Sequence, residues 1–218
     1  MIISHSKRFI FVHNYKVAGT SVRSILNPHG NWSFRASTHL DKIKILMGIY
    51  PKVYSNQFYG HSTLLDLKKR IPGRIFSSYF KFGFVRDPWD WQVSLYMFML
   101  QQKDHPQHKI VSSMKSFDEY IEWRVNKDLK LQKAFFYDEE GACLADFLGR
   151  YESLRSDFKV VREKMGIKSD LPHLNASRKE RTYLNYYSIS SIDMVYEGFK
   201  DDIETFNYSK PTLKSSQN

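Results

Sequence analysis

Cysteine is almost absent from this chain of 218 residues, which contains Cys143 and no other. A single cysteine cannot form an intramolecular disulfide, and such scarcity is typical of proteins from a reducing compartment. Cys143 lies in the apolar run Ala142-Cys-Leu-Ala145, so we expect a buried structural thiol. The expected location of the protein is the cytoplasm.

Long apolar segments are also missing. No run reaches the roughly eighteen apolar residues that a membrane-spanning helix needs. The first residues, Met1 to Arg8, lead directly into a strand pattern and leave no room for a charged start, an apolar stretch and a cleavage site. We therefore expect neither a membrane span nor a secretion signal.

Acidic residues are fewer than basic ones. The chain has 23 Asp and Glu and 33 Lys and Arg, which gives a net charge of +10. This surplus favours anionic partners through long-range attraction. No zinc-finger, RNP or helix-turn-helix signature is present, so nucleic acid is not the expected partner. Basic clusters at Lys68 to Arg70 and Arg178 to Arg181 suit either an acidic glycan or an ordinary solvated face.

Apolar side chains, in contrast, are plentiful: 42% of the residues are hydrophobic and 16% aromatic. This content and the chain length suit one globular domain, which we expect over residues 1–208 with a polar tail over 209–218. Strand and helix patterns alternate along the chain and predict an α/β layer structure.

The first informative segment runs from Phe9 to Leu26. A β-branched and aromatic strand pattern ends near Val12, and a helix begins near Thr20 and Ser21. The start of a helix offers unpaired amides and a positive dipole end to an anion, Gly19 permits close approach, and Lys16 adds positive charge. An ordinary strand-to-helix turn with a solvated lysine would give the same pattern.

The second segment runs from Tyr79 to Tyr96. Here a strand ends at Val85 and Pro88 opens a helix towards Leu100, which places Arg86 at the carboxyl end of the strand. Ligands of open α/β sheets collect at such ends. Ion pairing of Arg86 with Asp87 or Asp90 is the structural alternative.

These residues carry a family resemblance. Lys16-Val-Ala-Gly-Thr-Ser21 resembles the 5′-phosphosulfate loop of sulfotransferases that use 3′-phosphoadenosine 5′-phosphosulfate (PAPS), and Phe84 to Trp89 with Ser94 resembles their 3′-phosphate site. A third block, from Asp146 to Glu152 and on through Asp157-Phe158 to Leu171-Pro-His-Leu-Asn175, resembles the carbohydrate branch with the chondroitin, HNK-1 and heparan 2-O enzymes.

The resemblance implies a three-layer fold with a mainly parallel central sheet flanked by helices, related to phosphate-loop nucleotide hydrolases. It implies transfer of a sulfuryl group from PAPS, without a metal, to a hydroxyl that we expect on a glycan. A loop over Leu171 to Arg181, with a contact from Asn175, would close over a ligand. The implied donor-binding residues are Lys16, Ala18, Gly19, Thr20, Ser21, Arg86 and Ser94.

Sulfuryl transfer also needs a base for the acceptor proton, and histidine suits that role near neutral pH. His61 in Phe58-Tyr-Gly-His61 is the expected base, because the heparan and chondroitin relatives carry a catalytic histidine in a similar setting. A histidine bound to the backbone at a helix start is the structural alternative. His13, beside the first loop, and His39, in the expected acceptor region, are the rival candidates.

Two other functions fit parts of the sequence. A nucleotide-dependent kinase shares the phosphate-loop scaffold, but its lysine follows the last glycine, whereas Lys16 precedes Gly19. A non-catalytic module for anions or glycans would keep the donor motifs and lack the base.

Local patterns predict further helices. The segment from Ser62 to Ile71 is expected to form a short helix with cations at its end, closed by Pro72-Gly73, and a capping box at Ser116 opens another helix through about Arg124. A third helix has one apolar face and stops at Gly166; that face consists of Leu154, Phe158, Val161 and Met165. The last predicted helical segment runs from Ile192 to Phe206 with Gly198 inside it.

Overall fold

The computed structural model describes residues 1–30, 43, 47, 61–171 and 182–213. The chain divides into two compact units: the first contains Met1–Val85 and Ala134–Leu174, and the second contains Arg86–Lys133 and Asn175–Asn218. The described helices are, in chain order, α1 (Gly19–Leu26), α2 (Leu64–Arg70), α3 (Gly73–Ser78), α4 (Pro88–Gln101), α5 (His108–Ser112), α6 (Phe117–Lys127), α7 (Leu154–Lys164), α8 (Ile189–Gly198) and α9 (Lys200–Thr205). Within the described ranges, no helix has the length and apolar character that crossing a membrane requires.

A four-stranded sheet organises the first unit. Its strands are β1 (Ile2–Ser4), β2 (Phe9–Phe11), β3 (Phe80–Val85) and β4 (Phe147–Arg150), in the spatial order β1-β2-β3-β4. β1 runs antiparallel to β2, whereas β2, β3 and β4 are parallel to one another. This mainly parallel sheet flanked by helices confirms the predicted α/β class.

The sheet is held by aromatic side chains that have no exposed surface. Phe9 and Phe11 of β2 contact Phe82 of β3, and Phe82 contacts Phe84 edge-on. The strand pairing brings Gly149 of β4 opposite Phe84, where a Cβ would lie only 2.5 Å from the ring. Burial of aromatic strands from both sides is typical of parallel sheets.

Helix α7 packs its predicted apolar face on this unit. Leu154, Phe158 and Val161 are buried, and so is Met165 at the end of the helix. The helix ends at Gly166, which adopts a left-handed conformation with φ of 62°. Both the face and its stop signal are therefore confirmed.

Helix α2 lies within the predicted segment from Ser62 to Ile71, and it begins with a reciprocal cap between Thr63 and Asp66. Its basic last turn, Lys68 to Arg70, is also as expected. Pro72 closes α2 and also opens α3, a short helix that the sequence pattern did not predict. Proline is well suited to this double role, because it cannot continue one helix but fits the start of the next.

Helix α4 is the centre of the second unit. Asp87 caps it by accepting from the amides of Trp89 and Asp90, and Pro88 occupies the first turn. Trp89 donates through Nε1 to the carbonyl of Ile192 at 3.2 Å, and Trp91 meets Phe199 edge-on. Both tryptophans are fully buried, so they pack the helix within the second unit.

Three local expectations need correction. Cys143 is exposed, because the chain turns at residues 138–141 and pairs Cys143 with Tyr137 in a short bridge.

The last helical segment is broken: α8 ends at Gly198, where a Cβ would lie 2.8 Å from Val125 of α6, and α9 starts after Phe199. In the predicted capping box, Ser116 accepts from the Glu119 amide, but the Glu119 carboxylate accepts from the Lys115 amide.

Candidate active site

The loop between β2 and α1 carries left-handed backbone at two residues that are not glycine. Lys16 has φ of 54° and Ala18 has φ of 59°. Each such residue costs on the order of 1 kcal/mol, and strained positions of this kind collect at functional sites. The two turns bring the chain from the end of the buried strand to the first residue of α1 within a few residues.

The start of α1 leaves amides available. The carbonyl of Ala18 accepts from Ser21 and Val22, while no side chain caps this helix. Among the described residues, none accepts a hydrogen bond from the amides of Gly19 and Thr20. Since the first amides of a helix point along its positive dipole end, this turn is suited to bind an anion.

Position 19 requires a glycine because the His13 ring occupies the space that a side chain would need. A Cβ at this position would overlap Nε2 and Cδ2 of the His13 ring. The absence of a side chain therefore lets the imidazole pack directly on the first turn of α1. Glycine serves here for close approach and not for an unusual backbone conformation.

His61 joins this loop through its ring. Its Nδ1 lies 3.0 Å from the carbonyl oxygen of His13, and its ring stacks on Tyr15 with centroids 3.8 Å apart. A carbonyl can only accept, so Nδ1 of His61 carries the proton and donates it. In the neutral ring, Nε2 is then the nitrogen with the free lone pair.

The surroundings keep both histidines uncharged. Burial is the largest cause that lowers the pKa of His13 to about 3, and electrostatic effects of His61, the amino terminus and Arg23 lower it further. Burial also lowers the pKa of His61, with a smaller upward effect from the His13 carbonyl. Neutral imidazoles beside cationic groups are compatible with a bound anion, and a neutral His61 can take up a proton.

Asn14 and Tyr15 shape the loop and were not predicted. Buried Asn14 accepts from the Tyr15 amide at 2.7 Å and donates to the carbonyl of Phe84 on β3 at 3.4 Å. Tyr15 also meets Phe135 edge-on at 5.5 Å. A polar residue directly after a buried strand was the available signal for Asn14, whereas the partners of Tyr15 are distant in sequence.

In the second unit, Arg86 is buried and paired. Its Nε and Nη2 donate to the same carboxylate oxygen of Asp90, at 2.8 and 2.7 Å. Ser94 follows Asp90 by one helical turn, so both lie on the same side of α4, and Ser94 is partly exposed. The ion pair with Asp90 is the alternative that the sequence left open, and a bound guanidinium held in this way keeps a defined orientation.

The predicted site residues therefore fall into two groups. Lys16, Ala18, Gly19, Thr20, Ser21 and His61 belong to the first unit, and Arg86 and Ser94 belong to the second. His39 and Asn175, with nearly all of the predicted closing loop, lie outside the described residues. In the described part of the chain, no group of three or more His, Cys, Asp or Glu side chains is arranged to hold a metal ion.

Comparison with known proteins gives one match. The model of the Sulfotransferase family matches residues 1–209. The chain belongs to the sulfotransferase family. The match includes every candidate residue of both units and supports a transferase that moves sulfuryl groups. Searches of curated proteins and of solved structures returned no match.

The packing of His13 on Gly19 generates a first prediction. We expect Gly19→Ala to destabilise this sulfotransferase by roughly 1–3 kcal/mol, the usual cost of overpacking, and to weaken anion binding at α1. Gly73→Ala is the matched control, because a Cβ there has no atom within 4 Å. Urea unfolding and calorimetric titration with adenosine 3′,5′-bisphosphate measure the two effects. Equal behaviour of the two variants would contradict the packing argument.

Proposed function

We propose that this protein transfers a sulfuryl group from PAPS to an acceptor hydroxyl on a carbohydrate. The observation that carries the proposal is the start of α1, where the amides of Gly19 and Thr20 have no acceptor among the described residues and the preceding Lys16 and Ala18 are left-handed. It lies in a chain of the sulfotransferase family.

The first unit would hold the phosphosulfate end of the donor. The amides of Gly19 and Thr20, with the hydroxyls of Thr20 and Ser21, suit the 5′-phosphate, and the Lys16 ammonium would offset charge on the leaving oxygen. In the transfer, the acceptor oxygen bonds to sulfur, and the bond from sulfur to the bridging oxygen breaks. The electron pair of that bond leaves with the 5′-phosphate, and the acceptor proton goes to a base.

His61 is the proposed base. Its Nδ1 proton is committed to the His13 carbonyl, so Nε2 is the atom that would take the acceptor proton. Burial holds the pKa of His61 below its ordinary value, which leaves the ring neutral at neutral pH. His13 suits the role less well, because its pKa of about 3 makes it a weak base and its ring packs on Gly19.

The second unit would supply Arg86 and Ser94 to the 3′-phosphate. A guanidinium presents a planar fork of donors that matches a phosphate, and its ion pair with Asp90 fixes the plane of that fork. Ser94 lies one turn beyond Asp90 and adds a hydroxyl. The pairing with Asp90 is thus compatible with a binding role, because one carboxylate oxygen engages one edge of the guanidinium.

The carbohydrate acceptor rests on the third block of resemblance and on the net charge of +10. In the structure, Asp146 and Asp157 of that block accept from the amides of Lys81 and Arg150, so their role is to support the fold. The family match over residues 1–209 supports one functional domain over 1–208, and the single cysteine supports a cytoplasmic location. These assignments belong to the same proposal.

The choice of donor separates this function from a kinase. We expect adenosine 3′,5′-bisphosphate to raise the melting temperature of the protein in the presence of EDTA, because the donor site uses amides and cationic side chains. ATP with Mg²⁺, which kinases require to neutralise their phosphates, should have little effect. Stabilisation by ATP with Mg²⁺ and none by the bisphosphate would overturn the sulfotransferase proposal.

The role of Arg86 is tested by a pair of donors that differ in one phosphate. The native protein should prefer PAPS to adenosine 5′-phosphosulfate by roughly 10- to 150-fold, the range for a hydrogen bond to a charged group, and Arg86→Ala should remove most of this preference. Calorimetry at fixed salt concentration measures both affinities.

Arg124→Ala is the matched control for Arg86→Ala. Arg124 is also buried and pairs with Asp128 four residues later, as Arg86 does with Asp90. The control should keep the native preference. If Arg86→Ala weakens both donors equally, its ion pair with Asp90 is structural and the 3′-phosphate assignment is wrong.

The role of His61 is tested by turnover. His61→Ala should lower turnover by about 10²- to 10⁴-fold, the usual effect of removing a general base, with almost unchanged affinity for adenosine 3′,5′-bisphosphate. His5→Ala is the control, since His5 is another partly buried histidine of the first unit, with a pKa lowered to about 4 by burial. Turnover of His61→Ala within a few-fold of the control would exclude His61 as the base and would leave His13 and His39 as the candidates.

A further inference from the structure

The main chain of Arg86 is bound on both sides by one buried side chain. The side-chain amide of Gln132 accepts from the backbone N–H of Arg86 at 3.0 Å and donates to the backbone carbonyl of Arg86 at 2.8 Å. Gln132 has no exposed surface and Arg86 is only 5% exposed. Since β3 ends at Val85, Gln132 continues the hydrogen bonding of the chain one residue beyond the strand.

Gln132 is itself anchored by Asp202 of α9. One carboxylate oxygen of Asp202 accepts from the backbone N–H of Gln132 at 2.7 Å, and the other accepts from the backbone N–H of Lys133 at 2.8 Å. Asp202 is fully buried, and this burial raises its pKa to about 6. The protein thus keeps an acidic group where burial disfavours its charge, and that group holds the segment that binds Arg86.

The side chain of Arg86 is held separately by Asp90. Two donors of the guanidinium meet one oxygen of Asp90, as described above. Gln132 therefore determines where the main chain of Arg86 lies, and Asp90 determines the plane of its guanidinium. Both contacts are buried inside the second unit, where hydrogen bonds are costly to leave unmade.

We propose that Gln132 is a positioning residue that gives this protein its preference for a nucleotide with a 3′-phosphate, by fixing the main chain of Arg86. The inference rests on the proposed role of Arg86. A planar fork binds a phosphate well only over a narrow range of positions and angles, so a small shift of the Arg86 main chain weakens that contact. Contacts to the rest of the nucleotide would be much less affected.

Two stable nucleotides isolate the effect. Adenosine 3′,5′-bisphosphate and adenosine 5′-monophosphate differ only in the 3′-phosphate, and calorimetry on the full chain gives the ratio of their affinities. Gln132→Met keeps a side chain of similar length and removes both hydrogen bonds to Arg86. We expect it to reduce the native ratio by about fivefold or more, a loss comparable with that of one net hydrogen bond.

Gln92→Met is the matched control. Gln92 is also a fully buried glutamine of the second unit, and its side-chain oxygen accepts from Nε of Arg124 and from the hydroxyl of Tyr120. The control removes buried hydrogen bonds of the same kind without touching Arg86. It should lower the melting temperature, as Gln132→Met does, and leave the nucleotide ratio within about twofold of native.

The outcomes separate this inference from the proposed function. If the native protein does not prefer the bisphosphate, or Arg86→Ala keeps the preference, the 3′-phosphate assignment fails and this inference fails with it. If Arg86→Ala loses the preference but Gln132→Met keeps it, only the inference is overturned. Equal loss in Gln132→Met and Gln92→Met would also overturn it, because general loosening would then explain both.

If Gln132→Met does not fold, Asp202→Asn tests the same inference by changing the residue that holds the backbone of Gln132. The carboxylate of Asp202 accepts from the backbone N–H groups of Gln132 and Lys133, and asparagine would place an N–H donor against one of them. The substitution therefore loosens the chain at Gln132 and Lys133 but keeps the Gln132 side chain. A native ratio in this variant would overturn the inference. If neither variant folds, Gln132 and Asp202 serve stability alone, and the inference is overturned as well.

Discussion

The contact of the His13 ring with Gly19 is the constraint on which the candidate site of the first unit depends. Because Gly19 has no Cβ, the ring lies directly on the first turn of α1, and the carbonyl of His13 is then placed to accept from His61. One close approach thus links the strand, the helix start and the proposed base. A larger residue at position 19 would disturb all three, since packed interiors respond to small changes in volume.

The two units stabilise their polar groups by different means. In the first unit, burial, with a smaller effect of nearby positive charge, lowers the pKa of His13 and of His61 and favours neutral rings. In the second unit, buried carboxylates hold the groups around Arg86. Buried ion pairs contribute little net stability because desolvation offsets their attraction. Asp90 is therefore better explained by the position it imposes on Arg86 than by stability. Asp202 holds two backbone N–H groups although burial raises its own pKa.

Much of the fold follows from local patterns. The strand at Phe9–Phe11, the proline at the start of α4 and the apolar face of α7 were predictable, because strand alternation, helix period and capping depend on neighbours in sequence. Two of the errors have different causes. The exposure of Cys143 depends on a turn that folds the apolar run to the surface, and the end of α8 at Gly198 depends on Val125 of another helix.

The sequence by itself determined the family and the order of the motifs, and it predicted roles for Lys16, Gly19 and Arg86, because each motif is contiguous and carries its own turn or cap. Only the tertiary structure decided how these residues are held. His61 and its acceptor carbonyl are 48 residues apart, and Gln132 and Arg86 are 46 apart. No local period records such pairs, because they form only when packing brings distant segments together.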